Sequence, residues 1–131
     1  MDVEFHDLED EFSPFHGARI RSAAKLAGII DASRTREPFF CELVGENGYK
    51  LTIGLGADVG CVQYSPSDGE LPYLMAIPDV PTAGADVAFS AGGQSAAIPE
   101  RYYLPFDLAK QIAIFFLETG SRSPAVRWEE L

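Results

Sequence analysis

Twenty carboxylates, two histidines and two cysteines are the side chains of this 131-residue chain with the most chemistry to offer. Carboxylates act in two ways. Paired in a cleft they transfer protons; spread over a surface they attract cations. Asp2, Glu4, Asp7, Glu9, Asp10 and Glu11 crowd the first twelve residues. A second group follows an aromatic at a turn, Tyr64-Ser65-Pro66-Ser67-Asp68-Gly69-Glu70, and a third ends the chain as Trp128-Glu129-Glu130-Leu131. His6 and His16 stand ten apart with no ligand spacing to a cysteine or carboxylate cluster, so no metal is expected. Cys41 and Cys61 each sit in an apolar run and read as small core residues, not as a disulfide framework. Gly54-Leu55-Gly56 resembles half of a dinucleotide fingerprint, but no helix follows it, and a bend or bulge between strands is the expected role. A phosphate loop, a nucleophile elbow and the zinc-deaminase pattern are all missing, so neither a catalytic residue nor a cofactor is expected.

The charge balance points the same way. Ten basic residues against twenty acids give a net charge of -10 and a pI near 4.5. Such a surface repels nucleic acid and anionic membranes and attracts basic proteins. The chain opens Met1-Asp2-Val3-Glu4, without the basic and apolar regions of a secretory signal. No apolar run approaches the ~20 residues of a membrane span, so a cytoplasmic location is expected. Length and composition suit one domain over residues 1–131.

The elements that must position these groups follow from periodicity. Residues 1–12 mix acids with Val3, Phe5, Leu8 and Phe12, and suggest a partly ordered tail or an edge strand. Ser13-Pro14 carries helix-start chemistry. Ile20, Ala23, Ala27 and Ile30 continue at helical spacing toward Asp31. From Phe39 the period becomes two. Phe39–Gly45 and Tyr49–Leu55 form a hairpin around Glu46-Asn47-Gly48, with Gly48 left-handed. That loop sets Leu43 opposite Leu51, Cys41 opposite Ile53 and Glu42 opposite Thr52. A two-residue loop would bury Glu42 against Ile53.

Strands at Gly60–Tyr64 and Tyr73–Ile77 follow, then a loop over 78–86. A short hairpin of Val87–Phe89 with Ala96–Ile98 turns at Gly92-Gly93. A second helix spans about Pro105 to Thr119, with Leu108, Ile112, Phe115 and Phe116 as its apolar stripe and Gly120 as its stop. Val126–Leu131 is a short strand or an extended tail. The fold class is α+β: an antiparallel meander sheet with two main helices packed on it.

Certain of these segments resemble the immunity-protein family numbered one of bacterial polymorphic toxin systems, whose members neighbour toxins of the deaminase superfamily. The matching parts are Glu46 to Gly54, Gly60 to Tyr64, the helix from Pro105 to Gly120 and Pro124 to Leu131. The markers are Phe115, Phe116, Thr119, Gly120, Trp128 and Glu129. The likeness covers roughly Arg36 to Leu131. It implies a non-catalytic inhibitor whose partner is a deaminase toxin acting on nucleic acid.

A toxin that grips a polyanion needs a basic groove, which an acidic protein can occupy. The candidate contact residues are Tyr64, Asp68, Glu70, Glu129 and Glu130, chosen for charge and expected exposure. Trp128 is expected to lock the chain end onto the core. Two other readings compete: an adaptor for another basic protein, and a small enzyme using carboxylates in a cleft. A perturbed carboxylate pair in a deep pocket would favour the enzyme.

Overall fold

A computed structural model describes residues 1–83 and 86–131, so residues 84 and 85 of the expected 78–86 loop lie outside the described residues. In chain order the elements are β1 (Val3–Asp7), β2 (Arg19–Ile20), α1 (Ala23–Ala32), β3 (Phe39–Gly45), β4 (Tyr49–Leu55), β5 (Val59–Pro66), β6 (Leu74–Ile77), β7 (Ala88–Ala91), β8 (Gln94–Ala97), β9 (Leu104–Pro105), α2 (Phe106–Thr119) and β10 (Arg127–Glu130). The sheet runs β10-β6-β5-β4-β3-β1-β2, with the β7–β8 hairpin reached through β3 and β9 attached to β5. Its pairings are antiparallel except for one parallel bridge between β3 and β7. The α+β expectation holds.

The β3–β4 hairpin has the expected register, with Leu43 opposite Leu51, Cys41 opposite Ile53 and Glu42 opposite Thr52. Alternation forces it. Phe39, Cys41, Leu43, Leu51, Ile53 and Leu55 are all buried on one face, and Gly48 sits at φ 86°. A one-residue slip of either strand would turn its three inward side chains to the other face. Asn47 ties this turn to the exit of α2: its Nδ2 donates to the Gly120 carbonyl at 2.9 Å, and its Oδ1 accepts from Tyr49 N–H at 3.2 Å. Asn47→Ala removes both bonds. It is expected to lower stability by about 1–2 kcal/mol in denaturant titration.

Two expectations for the N-terminal third are corrected. Residues 3–7 are neither tail nor edge: β1 lies inside the sheet between β2 and β3, with Val3 and Phe5 buried. The first helix does not start at Ser13-Pro14. It starts at Ala23, capped by Ser22, whose side chain accepts from Lys25 N–H at 3.2 Å. Ile20 is a strand residue paired with Val3, and the helix buries Leu26, Ile29 and Ile30. Gly17, at φ 80°, breaks any helix before that point. Helix α2 ends at left-handed Gly120 as expected, but its buried stripe is Phe106, Ala109, Ile112, Ala113, Phe116 and Leu117. Leu108 and Phe115 flank that stripe half-buried.

Strand parity gives the sheet two different faces. The helix face carries the main core, including Phe5, Leu43, Leu51, Ile53, Val62, Phe106 and Phe116. The other face carries a smaller cluster of Cys61, Met75, Phe89 and Tyr102 beside Phe40. Gly54 is required there. A Cβ at that position would stand 2.7 Å from Cys61 Sγ and 2.9 Å from the Phe89 ring. The close approach of the β7–β8 layer, not a dinucleotide, accounts for this glycine.

Candidate partner-binding site

The acids divide into paired and unpaired sets. On the sheet face away from the helices, Glu4 pairs with His6 at 3.0 Å and Glu42 with Lys50 at 2.7 Å. Glu129 contacts Arg101 and accepts from the Tyr102 hydroxyl at 2.8 Å. That face is largely self-neutralised. Asp68, Glu70 and Glu130 are exposed and make no ion pair among the described residues.

These three acids lie together. The β5–β6 turn closes through Gly69 N–H to the Pro66 carbonyl at 3.2 Å, with Gly69 at φ 85°. Asp68 Oδ1 accepts from Glu70 N–H at 2.9 Å, and Tyr73 Oη donates to the Gly69 carbonyl. Leu131 N–H donates to the Tyr73 carbonyl at 2.9 Å, which brings the chain end to the turn. Leu71, Pro72, Glu130 and Leu131 then line a shallow cleft of about 240 Å³. Leu71 is 70% exposed and Leu131 59%. Ser67 N–H donates to the Gly48 carbonyl at 2.8 Å and joins the two neighbouring turns.

Tyr64 sits on the helix face next to this cleft. Its ring stacks on Tyr49 at 5.0 Å and meets Phe116 and Trp128 edge-on at 6.0 and 6.2 Å. Burial pushes its phenol up from the ordinary value. Tyr49 adds to this, and the Arg122 guanidinium, 5.7 Å from the ring, opposes it. Trp128 donates its indole N–H to the Ser123 carbonyl at 2.9 Å, which ties β10 to the segment leaving α2. Strand parity separates the last two acids. Glu130 stands opposite Leu74 on the helix side, and Glu129 stands opposite Met75 on the far side.

The structure therefore brings Tyr64, Asp68, Glu70 and Glu130 to one end of the sheet and turns Glu129 away into its contacts with Arg101 and Tyr102. Tyr49, Leu71 and Leu131 also belong to this surface. Sequence reasoning missed them, although Leu71 between an acid and a proline carries the signal of an exposed apolar tip.

Buried reactive groups have other tasks. Burial pushes Cys61 up to about 12 and Cys41 higher still, so both stay protonated. Burial also acts to raise the Asp7 carboxyl. The Arg36 hydrogen bond, the Asp10 N–H, the Arg36 charge and the Glu9 N–H outweigh it and hold the acid below its ordinary range. An acid held low by an arginine is an ion pair and not a general acid. Among the described residues no group of three histidine, cysteine or acidic side chains converges to hold a metal ion. No helix among them is long and apolar enough to cross a membrane.

A family model described as Immunity protein Imm1 matches residues 3–130. The chain belongs to the Imm1 family. The match extends well beyond the Arg36-to-Leu131 likeness of the sequence motifs and takes in the acidic β1 segment. A search of curated proteins finds no match. The Imm1 markers have visible structural duties: Gly120 accepts from Asn47, Trp128 holds Ser123, and Phe116 supports Tyr64.

Proposed function

We propose that this Imm1 protein binds a cognate toxin of the nucleic-acid deaminase class in the cytoplasm and blocks its substrate groove without catalysis of its own. The observation that carries this reading is the surface at the β5–β6 end. There, unpaired Asp68, Glu70 and Glu130 surround the exposed Leu71 and Leu131, with the Tyr49–Tyr64 stack beside them. A groove that holds a polyanion is basic, so the net charge of -10 speeds encounter. The apolar side chains slow release, because dissociation must return them to water. Tyr64 supports the face from beneath, and Glu129, paired with Arg101 on the far side of the sheet, stands outside it.

The test is titration of the purified protein into its proposed target, a purified toxin deaminase domain, followed by nucleic-acid deamination. Stoichiometric loss of activity is expected, and undiminished activity in the presence of excess protein refutes the reading. The double variant Asp68→Asn, Glu70→Gln is expected to weaken binding about 10-fold at low salt and to flatten its salt dependence. Unchanged affinity with an unchanged salt slope removes this surface from the interface.

A further inference from the structure

The loop between β1 and β2 is tightly built, yet its most apolar side chain faces solvent. Phe12 is 88% exposed, the highest figure among the exposed large hydrophobic residues, and Phe15 is 37% exposed. Local disorder does not explain this. Asp7 Oδ1 accepts from the N–H groups of Glu9 and Asp10 at 3.0 and 2.8 Å. Asp10 Oδ1 accepts from Phe12 N–H at 3.0 Å. Gly17 N–H donates to the Phe5 carbonyl at 2.7 Å, and Asp7 N–H to His16 Nδ1 at 3.0 Å. Beneath the loop, Arg36 Nη1 stands 2.6 Å from the Asp7 carboxylate, and Asp7 is 2% exposed.

This frame holds Phe12 at the rim of an open apolar groove of about 270 Å³ that Phe5, Pro14, Phe15, Ile29 and Leu55 also line. Three acids sit beside it. Asp10 and Glu11 are exposed, and the turn of the β7–β8 hairpin positions Glu9, whose Oε2 accepts from Gly93 N–H at 3.2 Å. None of the three makes an ion pair among the described residues, and the one cation lining the groove, Arg36, is already bound to Asp7.

We propose that this groove and Phe12 form a second toxin contact, filled by an apolar side chain on a lysine- or arginine-bearing segment of the toxin. The inference rests on the immunity reading above but concerns a different surface. Asp7 stands opposite Cys41, whereas Pro66 stands opposite Tyr49, so the two surfaces lie toward opposite ends of the strands and three strands apart. Strand spacings of ~4.8 Å and rises of ~3.3 Å per residue separate them by about 20–25 Å. One protein partner covering about 800 Å² reaches both. Charge complementarity favours a basic segment of the toxin over a second copy of this chain, which would bring Glu9, Asp10 and Glu11 against their own like charges.

Phe12 touches so little of the fold that Phe12→Ala leaves stability unchanged and isolates binding. Its Kd for the toxin domain is expected to rise about 30-fold, the loss typical of an aromatic anchor. Glu11→Gln is expected to raise Kd about 3-fold at low salt, with the effect fading as salt rises. Wild-type binding with unchanged Kd in Phe12→Ala overturns the second contact and leaves the immunity reading standing. Concentration-dependent self-association of the wild type that Phe12→Ala abolishes assigns the groove to a second copy, and also overturns it. Failure of the wild-type protein to bind the toxin at all overturns both.

Discussion

Phe116→Ala is expected to destabilise the protein by about 3–5 kcal/mol. Phe116 is fully buried on the inner face of α2, and its ring tip would lie 3.1 Å from a Cβ placed on Gly45. Its removal leaves a void bordered by the sheet on one side and the helix backbone on the other. Neither surface can collapse into it without breaking backbone hydrogen bonds. Against a typical total of roughly 5–15 kcal/mol, this is a large share. The loss extends to the surface, because the Phe116 edge supports Tyr64, which in turn carries Tyr49. Urea titration should show a lower midpoint with an unchanged slope. A loss under about 1 kcal/mol would mean that the core repacks, contrary to the close fit of Phe116 against Gly45.

Arg36→Met is expected to cost about 3 kcal/mol near neutral pH, because it strands the buried Asp7 carboxylate. That is the lower end of the roughly 3–5 kcal/mol typical of breaking a buried ion pair, since Arg36 itself keeps partial contact with water. The pH dependence separates this from simple packing loss. In the wild type the Asp7 carboxyl is held below its unfolded value of about 3.9, so its stabilisation is fully present above that pH. It disappears as pH falls through the lowered folded value. In Arg36→Met burial is no longer opposed by the arginine, and protonation of Asp7 relieves the strain. The stability gap between wild type and variant should therefore narrow as pH falls toward 4 and below. A gap that stays constant from pH 7 to pH 3 would show that the ion pair is not its source. The same variant frees the base of the Phe12 loop, so toxin affinity should fall with stability.

Legibility in the sequence followed the locality of the contacts. The β3–β4 hairpin could be read to the residue, because a three-residue loop and strict alternation act within seventeen residues of each other. The stop of α2 at Gly120 was equally local. The N-terminal strand escaped. Val3 and Phe5 alternate correctly, but the third inward position is Asp7, and an acid there breaks the pattern. Its one charged partner, Arg36, lies twenty-nine residues away, and with the Glu9 and Asp10 N–H groups makes that burial tolerable. The first helix begins later than its apolar spacing suggests for a related reason. Ile20 sits at helical spacing from Ala23 and Ala27, but β1 offers it a strand partner first.

The candidate surface divides in the same way. The net charge of -10 was plain in the composition, the motifs carried a resemblance to the immunity family, and the turn chemistry of residues 66–69 placed Asp68 and Glu70 at an exposed tip. Which of Glu129 and Glu130 stands on the helix side of the sheet could not follow from two adjacent identical residues. Pairing with β6 sets the parity of β10, and a sheet sends neighbouring side chains to opposite faces. The assembly of Leu71, Leu131, Glu130 and the tyrosine stack into one surface likewise required the chain end to return to the β5–β6 turn. That return is a contact across some sixty residues, held by backbone hydrogen bonds that carry no side-chain signature.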